Sequence, residues 1–254
     1  MAWHLALAFE QAGHQICEIF SREEAKALKL CASLYAAEAK TDLDFDESEA
    51  KLFVLAVSDD AMADVCSQLV LPQDSIIAHT SGSKSLEDLQ RLMLMHHDLP
   101  VQVGVIYPLM TFSINTKMDL REVPFCIESQ AEDAEQILVK LAQQISQTVY
   151  LVDSEERKIL HVAAVFACNF TNHLLALAKE MVEEENLEFD LLKPLIHETF
   201  RKAMAAEHPA NVQTGPAVRG DELTIARHLE YLLPNKDLSK IYQIMTESIQ
   251  KWHE

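Results

Sequence analysis

The sequence predicts an α/β fold, a doubly wound and mostly parallel sheet that lacks its first strand, followed by an all-α C-terminal domain. Three observations predict it. Up to about residue 153, short apolar runs alternate with stretches of helical periodicity, the pattern of strands joined by crossover helices. From Ser154 onward the texture becomes helix upon helix. Finally, the first periodic segment reads as a helix, and none of the five glycines (Gly13, Gly82, Gly104, Gly215, Gly220) follows a strand and opens a helix near the start.

Taken in order, residues 2–12 carry apolar side chains at helical spacing and stop at Gly13, a residue suited to the left-handed conformation just past a helix end. Gln15 to Phe20 form a short apolar strand, and Ser21-Arg22 open a second helical run, 23–32. Leu52 to Val57 are continuously apolar, as a strand buried on both faces of a parallel sheet must be. Ser58-Asp-Asp60 then caps a helix to about Leu69. Strands come next at 75–79, 101–106, 125–127 and 148–152, with helices at 86–96 and 131–145 between them. The helical part comprises about 155–184, 188–204, 221–233 and 237–252. Two domains result, 1–153 and 154–254.

Forty acidic against 21 basic residues leave a formal charge of −19, a field that repels nucleic-acid backbones and anionic lipid. Neither is expected as a partner. A bound dinucleotide stays compatible, because local donors act inside a screening length of roughly 8 Å. Five widely spaced cysteines without a C-x-x-C pair read as reduced thiols of a cytoplasmic protein, not as a metal or redox site. No metal-ligand spacing stands out, and the acidic cluster from Glu180 to Glu188 reads as a solvated helix end. The longest apolar stretch, Ile159 to Leu177, is interrupted by His161, Asn169, Asn172 and His173, so a buried helix is expected there and no membrane span.

In doubly wound dinucleotide folds the first strand lies mid-sheet and ends in a G-x-G-x-x-G turn that holds the pyrophosphate. The helix ending at Gly13, the strand to Phe20 and the polar Ser21-Arg22 are the elements expected directly after such a turn. A central strand of about five residues leaves on the order of ten ladder groups unpaired, at roughly 0.5–1.5 kcal/mol each, against a domain stability of about 5–15 kcal/mol. Three outcomes are open: the product starts upstream of Met1, the two flanking strands pair directly, or another element covers their edges.

Several short motifs occur together in one order: Ala2-Trp-His-Leu-Ala with Ala12-Gly-His14, Ser21-Arg22, Ala56-Val-Ser-Asp-Asp60, His79-Thr-Ser-Gly82, Pro108-Leu-Met-Thr-Phe112, His161-Val-Ala-Ala164 with Cys168-Asn-Phe170, and Thr214-Gly-Pro-Ala-Val-Arg-Gly-Asp221 followed by His228-Leu229. In this the chain resembles, nearly end to end, the Rossmann-like proteins with a C-terminal helical domain of unknown function (domain of unknown function 2520). These are related to deazaflavin-dependent NADP oxidoreductases and pyrroline-5-carboxylate reductases. The resemblance implies a nucleotide-binding domain followed by a helical dimerisation and substrate domain. Two departures are plain: the family's G-x-G-N turn before Ala2 is absent, and Tyr107 stands where relatives usually carry histidine before Pro108. A phenol, with an unperturbed pKa near 10, is a weak acid or base there.

Ser21 and Arg22 sit where an NAD enzyme places an acidic residue on the ribose, and a hydroxyl with a guanidinium suits the 2′-phosphate of NADP; an ordinary N-cap with a surface arginine is the other reading. Ser58 and Asp59 follow a strand at the carboxyl edge of the sheet, the ligand side of open α/β folds. Thr80, Ser81 and Gly82 form a polar turn at the same edge, able to offer hydroxyls and amides to a nicotinamide or substrate. His79 reads either as catalytic or as a hydrogen-bonded strand-end residue. His161 and Asn169 lie about 80° apart around an ideal helix, so both can reach one side of a cleft, one as proton donor to a substrate receiving hydride; the other reading makes both satisfied interior groups. Thr214, Arg219 and Asp221 occupy a tight loop, with Asp221 capping the next helix and Arg219 suited to a substrate carboxylate or to solvent.

Two functions fit. The first is an NADP-dependent oxidoreductase that transfers hydride to or from a small molecule and dimerises through its helical domain, chemistry that needs positioning and a proton donor but no nucleophile. The second is a non-catalytic nucleotide-sensing or assembly protein that retains the scaffold.

Overall fold

The computed structural model describes residues 1–97, 101–112 and 118–253. Helix α1 (Ala2–Gln11) leads into strand β1 (Glu18–Phe20), α2 (Glu24–Cys31), β2 (Glu38–Lys40) and β3 (Leu52–Leu55). A 3-10 turn and the short α3 (Met62–Cys66) precede β4 (Ile76–His79), α4 (Leu86–His96) and β5 (Gln102–Pro108). Then come β6 (Phe125–Ser129), α5 (Glu132–Ile145) and β7 (Val149–Leu151). The remainder is helical: α6 (Ser154–Ala164) and α7 (Thr171–Glu184), joined by a π turn at Val165–Phe170, then α8 (Lys193–Ala205), α9 (Pro216–Arg219), α10 (Glu222–Leu232) and α11 (Lys236–His253). Two compact units emerge, Met1–Thr171 and Asn172–Glu254.

The main sheet has the order β3-β4-β5-β6-β7, parallel except for the antiparallel β5–β6 pair. Alternate residues feed opposite cores, as the period of two requires. Ile77, Val103, Val105, Tyr107 and Cys126 join Leu89 and Met93 of α4 on one face. Ala78, Ile106, Phe125 and Ile127 join Leu5 and Phe9 of α1 and Leu138 of α5 on the other. This is the doubly wound arrangement expected. Because β4 is buried at all four positions, its carboxyl end delivers His79 and the turn beyond it into the interior.

β1 pairs in parallel with β2 in a separate two-stranded sheet. Among the described residues β1 and β3 do not pair, so closure by direct pairing is not what the chain does. Between them lies a cavity of about 260 Å³, walled by every residue from Gln15 to Phe20 on one side and from Leu52 to Val57 on the other, with Leu5, Phe9 and Phe45 also lining it. The expected gap in the sheet is thus present as space, and α1 covers part of it.

Several expectations need correction. β1 begins at Glu18, not at Gln15, since its ladder to β2 lasts only three residue pairs. The helix expected to run to Leu69 is a 3-10 turn, Asp59–Ala61, and a helix ending at Cys66, and Ser58 makes no side-chain cap. β2 was missed because Glu38-Ala-Lys40 has no apolar alternation. The helix expected from residue 188 begins at Lys193, with Pro194 in its first turn, where a missing N–H does no harm.

The helix from Ser154 to Glu184 is long and apolar enough to cross a membrane by length and composition, with a mean hydropathy of 1.4 over its most apolar window and none of that window buried. It is not the buried helix the sequence suggests: Ile159, Val162, Phe166 and Phe170 all stand exposed. Its interior carries the unpredicted π turn, in which Thr171 Oγ1 donates to the Phe166 carbonyl at 3.3 Å and the Phe166 and Phe170 rings meet edge to face at 5.0 Å. Within the helical unit, α9, α10 and α11 pack together over Ala217, Ile225 and Leu232.

Candidate functional site

The carboxyl ends of β3, β4 and β5 lie side by side, since Leu55 registers with His79 and His79 with Val105. Beyond β4 the chain turns through Thr80 to Lys84. Thr80 is tied back to the Leu55 carbonyl by its amide at 3.2 Å and its hydroxyl at 3.3 Å. Ser81 Oγ accepts from the amides of Ser83 (3.1 Å) and Lys84 (3.0 Å), which curls the turn around its own hydroxyl. The Ser81 amide in turn donates to His79 Nδ1 at 3.1 Å.

That bond settles the tautomer of His79: Nδ1 accepts, so the proton sits on Nε2. His79 is fully buried. Burial pushes its pKa down to about 4, helped by the Arg157 charge and opposed by the Ser85 carbonyl and the charges of Asp59 and Asp88. Among the described residues Nε2 has no hydrogen bond of good geometry. His79, neutral near pH 7, props the turn by accepting from the Ser81 amide.

Gly82 faces two aromatic rings. A Cβ there would meet His161 Nδ1 at 2.6 Å, His161 Cγ at 2.8 Å and Tyr107 Cζ at 2.9 Å, so only glycine fits. Tyr107 Oη and His161 Nδ1 are 3.2 Å apart, with the rings edge to face at 6.2 Å. Burial raises the phenol's pKa, as does nearby Cys126, with Arg157 opposing. The protonated phenol donates to Nδ1 when His161 is neutral with its proton on Nε2, and accepts from Nδ1–H when the ring is imidazolium. Asp59 completes the edge through a hydrogen bond from the Ser83 hydroxyl. Burial would raise its pKa, but the hydroxyls of Ser83 and Ser81 and the charges of Lys84 and His161 outweigh it, and the carboxyl stays ionised. The result is a small polar cluster of an anion, a phenol and an imidazole around a glycine turn.

The family described as a domain of unknown function (DUF2520) matches residues 123–249. A protein assigned as an NADP oxidoreductase from Bacteroides fragilis is 38% identical, with 98% of this chain and 94% of that one covered and a TM-score of 0.86. The chain belongs to the DUF2520 family. An imine reductase from Myxococcus stipitatus, solved with NADP+, shares the fold at 15% identity, with 100% and 92% covered and a TM-score of 0.62. So does a 1-pyrroline-5-carboxylate reductase from Streptococcus pyogenes at 11% identity, with 98% and 95% covered and a TM-score of 0.56. No match was found among curated proteins.

In this DUF2520 protein the sequence-derived candidates scatter over four places. Asp59, Thr80, Ser81, Gly82 and His161 come together at the cluster, with Ser58 exposed beside Asp59. Ser21 and Arg22 follow β1; the Ser21 hydroxyl accepts weakly from the Glu23 amide at 3.4 Å, and Arg22 is exposed. Asn169 is exposed in the π turn. Each residue of that i→i+5 stretch advances by less than the 100° of an α-helix, so the angle expected between His161 and Asn169 does not hold. Thr214, Arg219 and Asp221 lie in the helical unit, where Asp221 accepts from the Thr224 amide at 3.1 Å and hydroxyl at 2.8 Å. Those two bonds, the hydroxyl's first, lower its pKa and make it the N-cap of α10.

Sequence reasoning passed over Ser83, Lys84, Glu128 and Arg157, and it set Tyr107 aside. No periodic signal marks them. Tyr107 matters here as the hydrogen-bond partner that orients His161.

Proposed function

We propose that this protein is an NADP-dependent oxidoreductase that moves hydride between the nicotinamide and a small molecule. The observation that carries the reading is the Tyr107–His161 pair set against the Gly82 turn at the carboxyl edge of the sheet. Bound there, the nicotinamide would supply or accept the hydride. His161, entering as the imidazolium, would give its Nε2 proton to the substrate heteroatom and be left neutral, its Nδ1 proton shared with Tyr107 Oη. Asp59 would favour the imidazolium before that step, and Thr80 and Ser81 would hold the turn. At the other end of the dinucleotide, Ser21 and the exposed Arg22, which has no ion pair among the described residues, fit a 2′-phosphate. For the pyrophosphate, the uncapped N-terminus of α1 would offer backbone amides.

Tyr107, a phenol whose pKa burial raises further, favours a second reading, a nucleotide-sensing or assembly protein without turnover. Titrating NADPH and NADH against the 254-residue chain, and against a version extended by an apolar strand and glycine turn, separates the two. NADPH preference that Arg22→Ala abolishes supports the oxidoreductase, and turnover should be sought first with imines, the substrates that the fold neighbours' names imply. If neither version binds a dinucleotide, the oxidoreductase reading fails; binding without turnover on any carbonyl or imine favours the sensor.

The apolar side chains of the 154–184 helix support homodimerisation through the helical part of a cytoplasmic protein, a second copy covering Ile159, Val162 and Phe166. Sedimentation at micromolar concentration tests this. A monomer there, or protein that partitions into lipid vesicles, would remove the dimer reading.

A further inference from the structure

We infer that Arg157 is a positioning residue that sets the distance between the Gly82 turn and the His161 ring. The inference rests on the reading of His161 as proton donor. Arg157 lies in the second turn of α6, with 0% of its surface exposed. Its guanidinium spans three elements. One arm pairs with the Glu128 carboxylate at the end of β6, and the other donates to the Lys84 carbonyl at 2.6 Å and approaches Ser154 Oγ at 3.3 Å. Glu128 is held in turn by the Ser154 amide at 3.1 Å and hydroxyl at 2.9 Å.

The geometry explains why this clamp controls the site. Lys84 closes the turn two residues after Gly82, and His161 lies one helical turn after Arg157 on the same face. Fixing the Lys84 carbonyl to α6 therefore fixes both walls of the Gly82 contact. A carboxylate and a carbonyl on different elements need the planar fork of arginine, and a lysine ammonium with its single point charge suits the carboxylate alone. The same charge helps keep His79 neutral, so the prop beneath Ser81 is also under Arg157 control.

The test compares Arg157→Lys with wild type and with Gly82→Ala, which disturbs the same contact from the other side. Arg157→Lys keeps a cation against Glu128 and is expected to fold. It should lose the nuclear Overhauser contacts between the Tyr107 and His161 rings, as should Gly82→Ala. In turnover kcat should fall about 100-fold, the scale of a misplacement near 1 Å, with NADPH affinity unchanged. If Arg157→Lys does not fold, Ser154→Ala, which removes one hydroxyl shared by Glu128 and Arg157, should show the same loss in milder form. Ring contacts intact in a folded variant would overturn the inference. Because those contacts are read without cofactor or substrate, failure of NADPH to bind wild type would sink the proposed function and leave this result standing.

Discussion

The sheet-bearing unit and the helical unit both carry many apolar side chains but place them differently. In Met1–Thr171 the central strands of the sheet are covered on both faces, with Ile77, Val105, Ile106, Phe125 and Ile127 at or near zero exposure. In Asn172–Glu254 the buried apolar side chains are Ala217, Ile225 and Leu232, while Leu191, Leu195, Met204 and Trp252 are more than half exposed. An apolar stripe on a helix shows that something covers it, and only a fold shows what. The sheet meets that demand within its own unit. The helices leave much of it open, and so does the stretch of apolar helix that ends the first unit, where Ile159, Val162 and Phe166 stand exposed and a second copy is proposed.

The contrast can be broken by paired truncations. Phe125→Ala, in the covered part of the sheet, is expected to cost about 3–5 kcal/mol in denaturant unfolding, whereas Leu195→Ala at concentrations that keep the protein monomeric should stay within about 0.5 kcal/mol. Equal losses would erase the distinction. Next in size is an acid effect confined to the sheet unit. The His79 pKa is held near 4 against an ordinary 6.5, burial first and Arg157 second, so the unfolded chain binds the extra proton between those values. Stability is complete above pH 6.5 and falls on the way to pH 4, by on the order of 3 kcal/mol; His79→Asn should flatten that part of the profile, and an unchanged slope would show that His79 is not its source.

Gly82→Ala should cost roughly 1–3 kcal/mol, the range for forcing a methyl group into filled space, because the two rings it meets are themselves tied to each other. A neutral substitution would mean the contact opens freely in solution. The smallest effect belongs to the exposed helix: Phe166→Ala should move unfolding of the monomer by less than about 0.5 kcal/mol yet weaken association measurably in sedimentation. Were association unaltered, the partner surface would have to lie elsewhere on the molecule.

Much of this was legible in the sequence where the signal is local. The helix from Leu86 to His96 follows from its periodicity and from Ser85 and Asp88, which form a reciprocal cap. The strand ending at His79 follows from an apolar run that stops at a polar turn. At the site, Thr80, Ser81 and Gly82 were visible as a turn at the ligand edge, and His161 as a polar interruption of an apolar helix. What escaped notice was the company they keep. Arg157 looks like an ordinary helix-surface arginine until Glu128, 29 residues away, and Lys84, 73 away, close on it. The π turn escaped for a different reason: a single wide turn hardly disturbs a pattern read over thirty residues.

By itself the sequence determined the kinds of element, their order, and the change from alternating strands and helices to helices alone. These are written in neighbours a few residues apart, whose spacing decides which side of a helix or strand is apolar. The tertiary structure alone decided that β6 runs against β5, that Gly82 lies against the two rings, and that a buried guanidinium joins turn, strand and helix. Such contacts depend on the path of the chain between distant residues, and the spacing of near neighbours carries no record of that path.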